Sequence, residues 1–143
     1  MDSNNISSHI PLFESYCRQN NIDGISIHCE VGEFPFNLTI ASTPNSLRKG
    51  YQNEENSPSS NEGMLFVYPQ PMELSFWMKN VNFPLDIMFF DSNKSLVEYT
   101  TMDENSYPNT YRSPVPCQYA IETKAGWCKD NLSDINNTIL LKI

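Results

Sequence analysis

Apolar and polar residues alternate in several short stretches of this chain, the mark of half-buried strands. Residues 25–31 alternate, and Gly32 and Glu33 read as a turn. In residues 34–40, Phe36, Leu38 and Ile40 share one face. Residues 73–79 alternate again, with Leu74, Phe76 and Met78 on one side and Ser75, Trp77 and Lys79 on the other. Residues 63–68 and 85–90 are continuous apolar runs, too short for helices, and fit buried strands. Residues 95–101, 118–123 and 138–143 complete a set of about eight strands.

Helical signals are few. Pro11 opens one short helix, with Leu12, Phe13, Tyr16 and Cys17 on one face and Asn20, Asn21 and Gly24 ending it. Ser42-Thr43-Pro44 is a hydroxyl cap followed by a first-turn proline, and Gly50 stops the helix that follows. Residues 125–131 make one or two further turns. Residues 51–62 read as a polar loop, Pro69-Gln70-Pro71 as a break, and residues 103–116, with three prolines, as an irregular surface segment. Strands are not separated by regular helices, so a doubly wound parallel sheet is not expected. The expected fold is mainly β: a single antiparallel sandwich or barrel with two or three short helices.

Composition narrows the function. A chain of 143 residues fits one domain and can bury a sizeable core, which its 39% hydrophobic and 12% aromatic residues supply. Seventeen acids against nine bases, a net charge of −8, disfavour nonspecific binding to nucleic acid. No run approaches the ~20 apolar residues that span a bilayer. The N-terminus has no basic segment ahead of a hydrophobic run, so a cytoplasmic, reducing location is expected and the five N-x-[ST] triplets are read as unmodified. Cys17, Cys29, Cys117 and Cys128 form no C-x-x-C pair and match no zinc spacing, so free thiols are expected. His28 and Cys29 point to opposite faces of a strand, a poor geometry for one metal. No metal and no cofactor are expected.

The richest chemistry lies in Ser75-Phe-Trp-Met-Lys-Asn80 followed by Phe83-Pro-Leu-Asp-Ile87. If the flanking strands form a hairpin, Lys79 and Asp86 face each other across its loop. A carboxylate heading an apolar strand needs a cation or donors. Lys79 is the nearest cation; Arg48 and Arg112 are reachable through the fold. Such a pair is structural if it only ties the loop down. The functional reading makes Trp77 a stacking wall, with Lys79, Asn80 and Asp86 as polar contacts of a small-ligand pocket. Asp86 and Glu122, both in strands, are the candidates for carboxylate chemistry. No G-x-S-x-G and no phosphate-cradling glycine loop is present.

These motifs resemble the domain of unknown function 192 family. The resemblance rests on Gly63-Met-Leu-Phe-Val-Tyr68, Ser75-Phe-Trp-Met-Lys-Asn80, Pro84-Leu-Asp-Ile87 with Phe90-Asp91, and Ala41-Ser-Thr-Pro44 leading into Arg48-Lys-Gly50. Tyr119-Ala-Ile-Glu122 and Ala125-Gly-Trp127 extend it downstream. It runs from about residue 34 to the C-terminus, making residues 34–143 the family domain and residues 1–33 an N-terminal extension of a short helix plus a strand. The resemblance implies a compact β-rich domain of jelly-roll type and supplies no reaction. Where the family reads Gly-Leu-Met-x-Arg, this chain has Gly50-Tyr-Gln-Asn-Glu54, so that arginine is lost. Relatives occur in bacteriophages of marine cyanobacteria, and the asparagine-rich, acidic character here suits a phage-encoded member.

The expectation is therefore a small non-enzymatic binding or accessory module acting on an unknown small ligand or protein partner. Its candidate site comprises Arg48, Trp77, Lys79, Asn80, Asp86 and Glu122. One alternative is an enzyme using Asp86 or Glu122 as a general base. Another is a phage virion or host-targeting protein working through its acidic surface. Nucleic-acid and membrane partners are not expected, and the oligomeric state is open.

Overall fold

The structure is a computed structural model that describes Phe13 and residues 21–143. The helix expected from Pro11 and the thiol of Cys17 lie outside the described residues, except that Phe13 packs against the core. The strands are β1 (Ser26–Val31), β2 (Phe34–Ala41), β3 (Glu62–Met72), β4 (Ser75–Trp77), β5 (Leu85–Phe90), β6 (Leu96–Met102), β7 (Thr110–Arg112), β8 (Cys117–Lys124) and β9 (Leu141–Lys142). Two short helices, α1 (Pro44–Lys49) and α2 (Trp127–Leu132), complete them.

Seven strands form one sheet in the order β6-β5-β8-β3-β2-β1-β9, and β4 pairs with β7 in a separate ribbon. The sheet curls until its edges meet at one corner, where Leu96 N–H donates to the Ile139 carbonyl (2.8 Å) and Leu141 N–H to the Lys94 carbonyl (2.8 Å). Joining the edges there shields strand ends that would otherwise offer unpaired backbone groups. The mainly β class is as the alternation implies.

Besides β7, a strand inside the segment read as irregular, three details differ from the sequence reading. β2 and β3 run parallel, so the sheet is not wholly antiparallel; α1 and the polar loop after it make the crossover that a parallel pair requires. Pro69-Gln70-Pro71 does not end β3. The strand continues to Met72 through a register shift against β8 after Val67, because prolines cannot donate to the ladder and the chain arches past them. Finally, β4 and β5 form no hairpin: β4 pairs with β7, while β5 lies between β6 and β8.

Side chains fill both faces of the sheet, and the period-2 geometry of the strands sorts them. Met88, Phe90, Tyr119 and Ile121 join Phe36, Leu38 and Trp127 in one core. Leu85, Ile87, Phe89 and Ala120 join Phe66, Phe76 and Met78 in the other. This explains why β5 is buried at every position. Trp127 closes the first core with edge-to-face contacts to Phe34 (5.3 Å) and Phe36 (4.7 Å). Cys29, Cys117 and Cys128 are buried free thiols, with Cys117 packed in the second core.

Helix α1 is fixed by local chemistry. Thr43 Oγ1 accepts from Ser46 N–H (3.1 Å) while Ser46 Oγ accepts from Thr43 N–H (3.0 Å), a reciprocal cap. The Asp23 carboxylate accepts from Ser42 N–H (2.7 Å) and from Ser46 Oγ (2.6 Å), tying the cap to the chain ahead of β1. Gly50 ends the helix at φ +48°, a left-handed value that favours glycine.

Candidate functional site

A cleft of about 760 Å³ opens beside the second core. Helix α1 and its following turn form one wall through Arg48, Lys49, Gly50 and Tyr51; β4 and the segment after it form the other through Phe76, Trp77, Lys79 and Val81. The central sheet supplies Phe66 and Tyr68 from β3 and Glu122 from β8. That volume lies within the ~300–1,000 Å³ usual for small-molecule sites, and the mixture of aromatic walls with a few polar groups is usual there too.

Glu122 is the unusual member. It is 4% exposed, and its Oε1 has no hydrogen-bond partner among the described residues. Burial pushes its carboxyl from the ordinary 4.5 up to about 8, so the acid form prevails at neutral pH. Two glycines let it sit where it does. A Cβ on Gly50 would come within 3.2 Å of Glu122 Oε1 and 3.4 Å of the Phe66 ring. A Cβ on Gly63 would run into the Glu122 backbone carbonyl, so β3 and β8 pair closely there only because residue 63 has no side chain. The phenols of Tyr51 and Tyr68 are pushed up by burial and then by the Glu122 charge, so both stay protonated.

The cations sit at the rim. Arg48 is exposed and donates to Asn45 Oδ1 (2.7 Å). Lys49 pairs with Glu54 at 3.0 Å. Lys79 Nζ lies 5.5 Å from the centre of the Trp77 ring. Trp77 itself is 41% exposed and meets Tyr107 edge-on at 5.2 Å, so it is a wall of the cleft and not a core residue.

Of the six expected site residues, the cleft therefore gathers Arg48, Trp77, Lys79 and Glu122. Asn80 stands outside it with φ +58°, and its carbonyl accepts from Asn53 N–H (2.9 Å), bracing the two loops that flank the opening. Asp86 is elsewhere. Ile87 is registered opposite Glu122, so those two share a face and Asp86 points to the opposite side of the sheet. There it is 1% exposed and accepts from Thr101 Oγ1 (2.6 Å), Gly126 N–H (3.1 Å) and Cys128 N–H (2.9 Å).

The expected ion pair of Asp86 with Lys79 or an arginine is thus not formed. Among the described residues the side-chain ion pairs are Lys49–Glu54 and Arg112–Glu73 (3.7 Å), both at the surface. Backbone donors at the start of α2 replace the cation, because the missing β4–β5 hairpin leaves Lys79 on the far wall of the cleft. Asp86 and Glu122 also cannot act as a carboxylate pair across one pocket, being on opposite faces. Gly50, Tyr51 and Tyr68 line the cleft without being among the expected site residues. The helix stop at Gly50 was the one available signal, since it marks where the chain turns over the sheet.

Among the described residues no group of three or more His, Cys, Asp or Glu side chains is placed to hold a metal ion, and no helix is long and apolar enough to cross a membrane.

The fold is that of a mainly β domain built on one curled sheet with two short helices. The chain belongs to the DUF192 family, described as "Uncharacterized ACR", whose pattern it matches over residues 27–139. No curated protein matches it. Two solved structures share the fold. One, described as a "putative transcription regulator" from Sinorhizobium meliloti 1021, has a TM-score of 0.70 at 21% identity, covering 82% of this chain and 91% of that one. The other is a protein of unknown function from Novosphingobium aromaticivorans DSM 12444, with a TM-score of 0.68 at 20% identity, covering 82% and 85%.

Proposed function

We propose that this domain is a small-molecule binding module whose ligand enters the cleft between α1 and β4 and hydrogen-bonds to Glu122. The observation that carries this reading is the buried Glu122 Oε1 without a partner on a cleft-lining side chain. An unsatisfied buried polar atom destabilises a fold by about 1–3 kcal/mol, and a ligand that supplies the missing bond recovers that energy on binding. A fragment library screened by NMR on the full chain tests the reading. Binders should shift the amides of Gly50, Tyr51, Trp77 and Glu122. Binders that map only to the opposite face, around α2, would overturn it.

One observation favours a second reading, acid–base catalysis. A carboxyl raised to about 8 in a cleft has the pKa that proton transfer near neutral pH requires. Glu122→Gln tests this second reading: glutamine keeps a hydrogen-bonding group in place but cannot transfer a proton, so an enzyme would keep binding and lose turnover, and turnover that survives in the variant would exclude Glu122 as its acid or base. Asp86 drops out as a base, because its oxygens already accept three hydrogen bonds on the other face.

A further inference from the structure

The distribution of charge around the cleft points to the class of ligand. The chain carries nine basic residues against seventeen acids, yet three of the nine, Arg48, Lys49 and Lys79, line this one cleft. Glu122 is the single acidic residue in its lining. Lys49 is engaged by Glu54, but no acid lies within ion-pair distance of Arg48 or Lys79 among the described residues. Helix α1 has no acid in its first turn and turns both its cations, Arg48 and Lys49, toward the cleft at its end. A concave site lined by one sign of charge in a protein of the opposite sign concentrates counter-ions of its own choosing.

The lining between rim and floor is apolar and aromatic, with Phe66, Phe76 and Val81. The central sheet offers the Glu122 carboxyl and the Tyr68 phenol as hydrogen-bonding groups. We propose, building on the reading of the cleft as a ligand site, that it selects an amphipathic organic anion: a carboxylate or similar group facing Arg48 and Lys79, an apolar body, and an uncharged hydrogen-bonding group reaching Glu122.

Several features support this over a cationic or neutral ligand. An amine would meet two unpaired cations at the entrance. The titratable groups near enough to feel Glu122 are the phenols of Tyr51 and Tyr68, both held in their neutral form by burial. Glu62 and Glu54 lie close enough to act on Tyr51, but Glu54 is neutralised by Lys49. Glu122, kept as the acid by burial, adds no negative charge at neutral pH and can donate its proton in a hydrogen bond.

Four probes of nearly one shape test the proposal by NMR titration of the full chain at pH 7: 4-hydroxybenzoate, benzoate, 4-hydroxybenzamide and tyramine. The expected order places 4-hydroxybenzoate first, with shifts at Gly50, Tyr51, Trp77 and Thr110. Benzoate should bind more weakly for want of the hydroxyl, and the amide and amine about tenfold more weakly or worse. Arg48→Glu and Lys79→Glu, both at exposed positions that leave the core intact, should each weaken 4-hydroxybenzoate about fivefold and strengthen tyramine. If 4-hydroxybenzamide or tyramine binds in the cleft as tightly as 4-hydroxybenzoate, the anion proposal fails while the cleft remains a ligand site. If no probe shifts the cleft amides at millimolar concentration, the proposal and the reading beneath it both fail.

Discussion

Replacing Glu122 with glutamine should shift the stability balance toward the variant increasingly as the pH rises. The native carboxyl holds its proton until about pH 8, while in the unfolded chain it ionises near the ordinary 4.5. Between those values the native state carries one more proton than the unfolded state, so the stability contributed by this group falls by about 1.4 kcal/mol per pH unit. The contribution is intact below 4.5, is reduced by roughly 3 kcal/mol at pH 7, and stops falling above 8. Glutamine keeps the shape and cannot ionise, so the variant escapes that loss. Its amide must still be buried, which shifts the comparison by an amount that does not depend on pH. The slope is therefore the readout. Urea unfolding of the two proteins at pH 5 to 9 gives their stability difference at each pH. It should widen in favour of glutamine from pH 5 to 8 and then level off. A difference that stays flat, or a wild type that gains on the variant as pH rises, would show that Glu122 is ionised in the fold and compensated there.

Asp86→Ala should lower stability in urea by about 3–5 kcal/mol, since it strips three donors, two of them at the start of α2, of a buried charged acceptor; a loss below about 1 kcal/mol would refute that structural role. Gly63→Ala should destabilise more than a typical surface change, by about 2 kcal/mol or more, because the added methyl meets backbone that cannot move without opening the β3–β8 ladder. In a thiol-reagent assay without reductant, all four cysteines should react after denaturation. Cys29, Cys117 and Cys128 should be slow in the native protein, as burial pushes the Cys29 thiol up to about 12 and the other two upward as well; fast native labelling of any of the three would contradict their placement.

What could be read from the sequence was whatever a strand or helix encodes within itself. The alternation at Phe36, Leu38 and Ile40 appears as one buried face of β2, and the unbroken apolar run in β5 appears as a strand covered on both sides. Thr43 and Pro44 open α1 and Gly50 closes it, as their hydrogen-bonding and backbone preferences demand. Pairing was not legible. β4 joins β7, some 35 residues further on, and β7 lies within the proline-rich stretch 103–116, which carries almost no periodic signal. With that partner unseen, a local hairpin with β5 was the natural expectation, and it brought Lys79 and Asp86 together on paper.

The candidate site depends on register more than on composition. Asp86 and Glu122 are both buried acids of adjacent strands, and nothing in their neighbouring residues tells which of them faces the cleft. The ladder decides: Ile87 opposes Glu122 and Asp86 opposes Thr123. A slip of one residue between β5 and β8 would exchange the faces of every side chain on one strand. It would put Asp86 under the cleft and pull it away from Gly126 and Cys128. Two contacts prevent this. Glycine at 63 permits the close passage of β3 over the Glu122 backbone, which fixes β8 from one side. The hydrogen bonds from Gly126 and Cys128 to Asp86 fix β5 against the helix that follows β8. The acid that serves the structure thereby holds in register the strand that presents the other acid to the cleft.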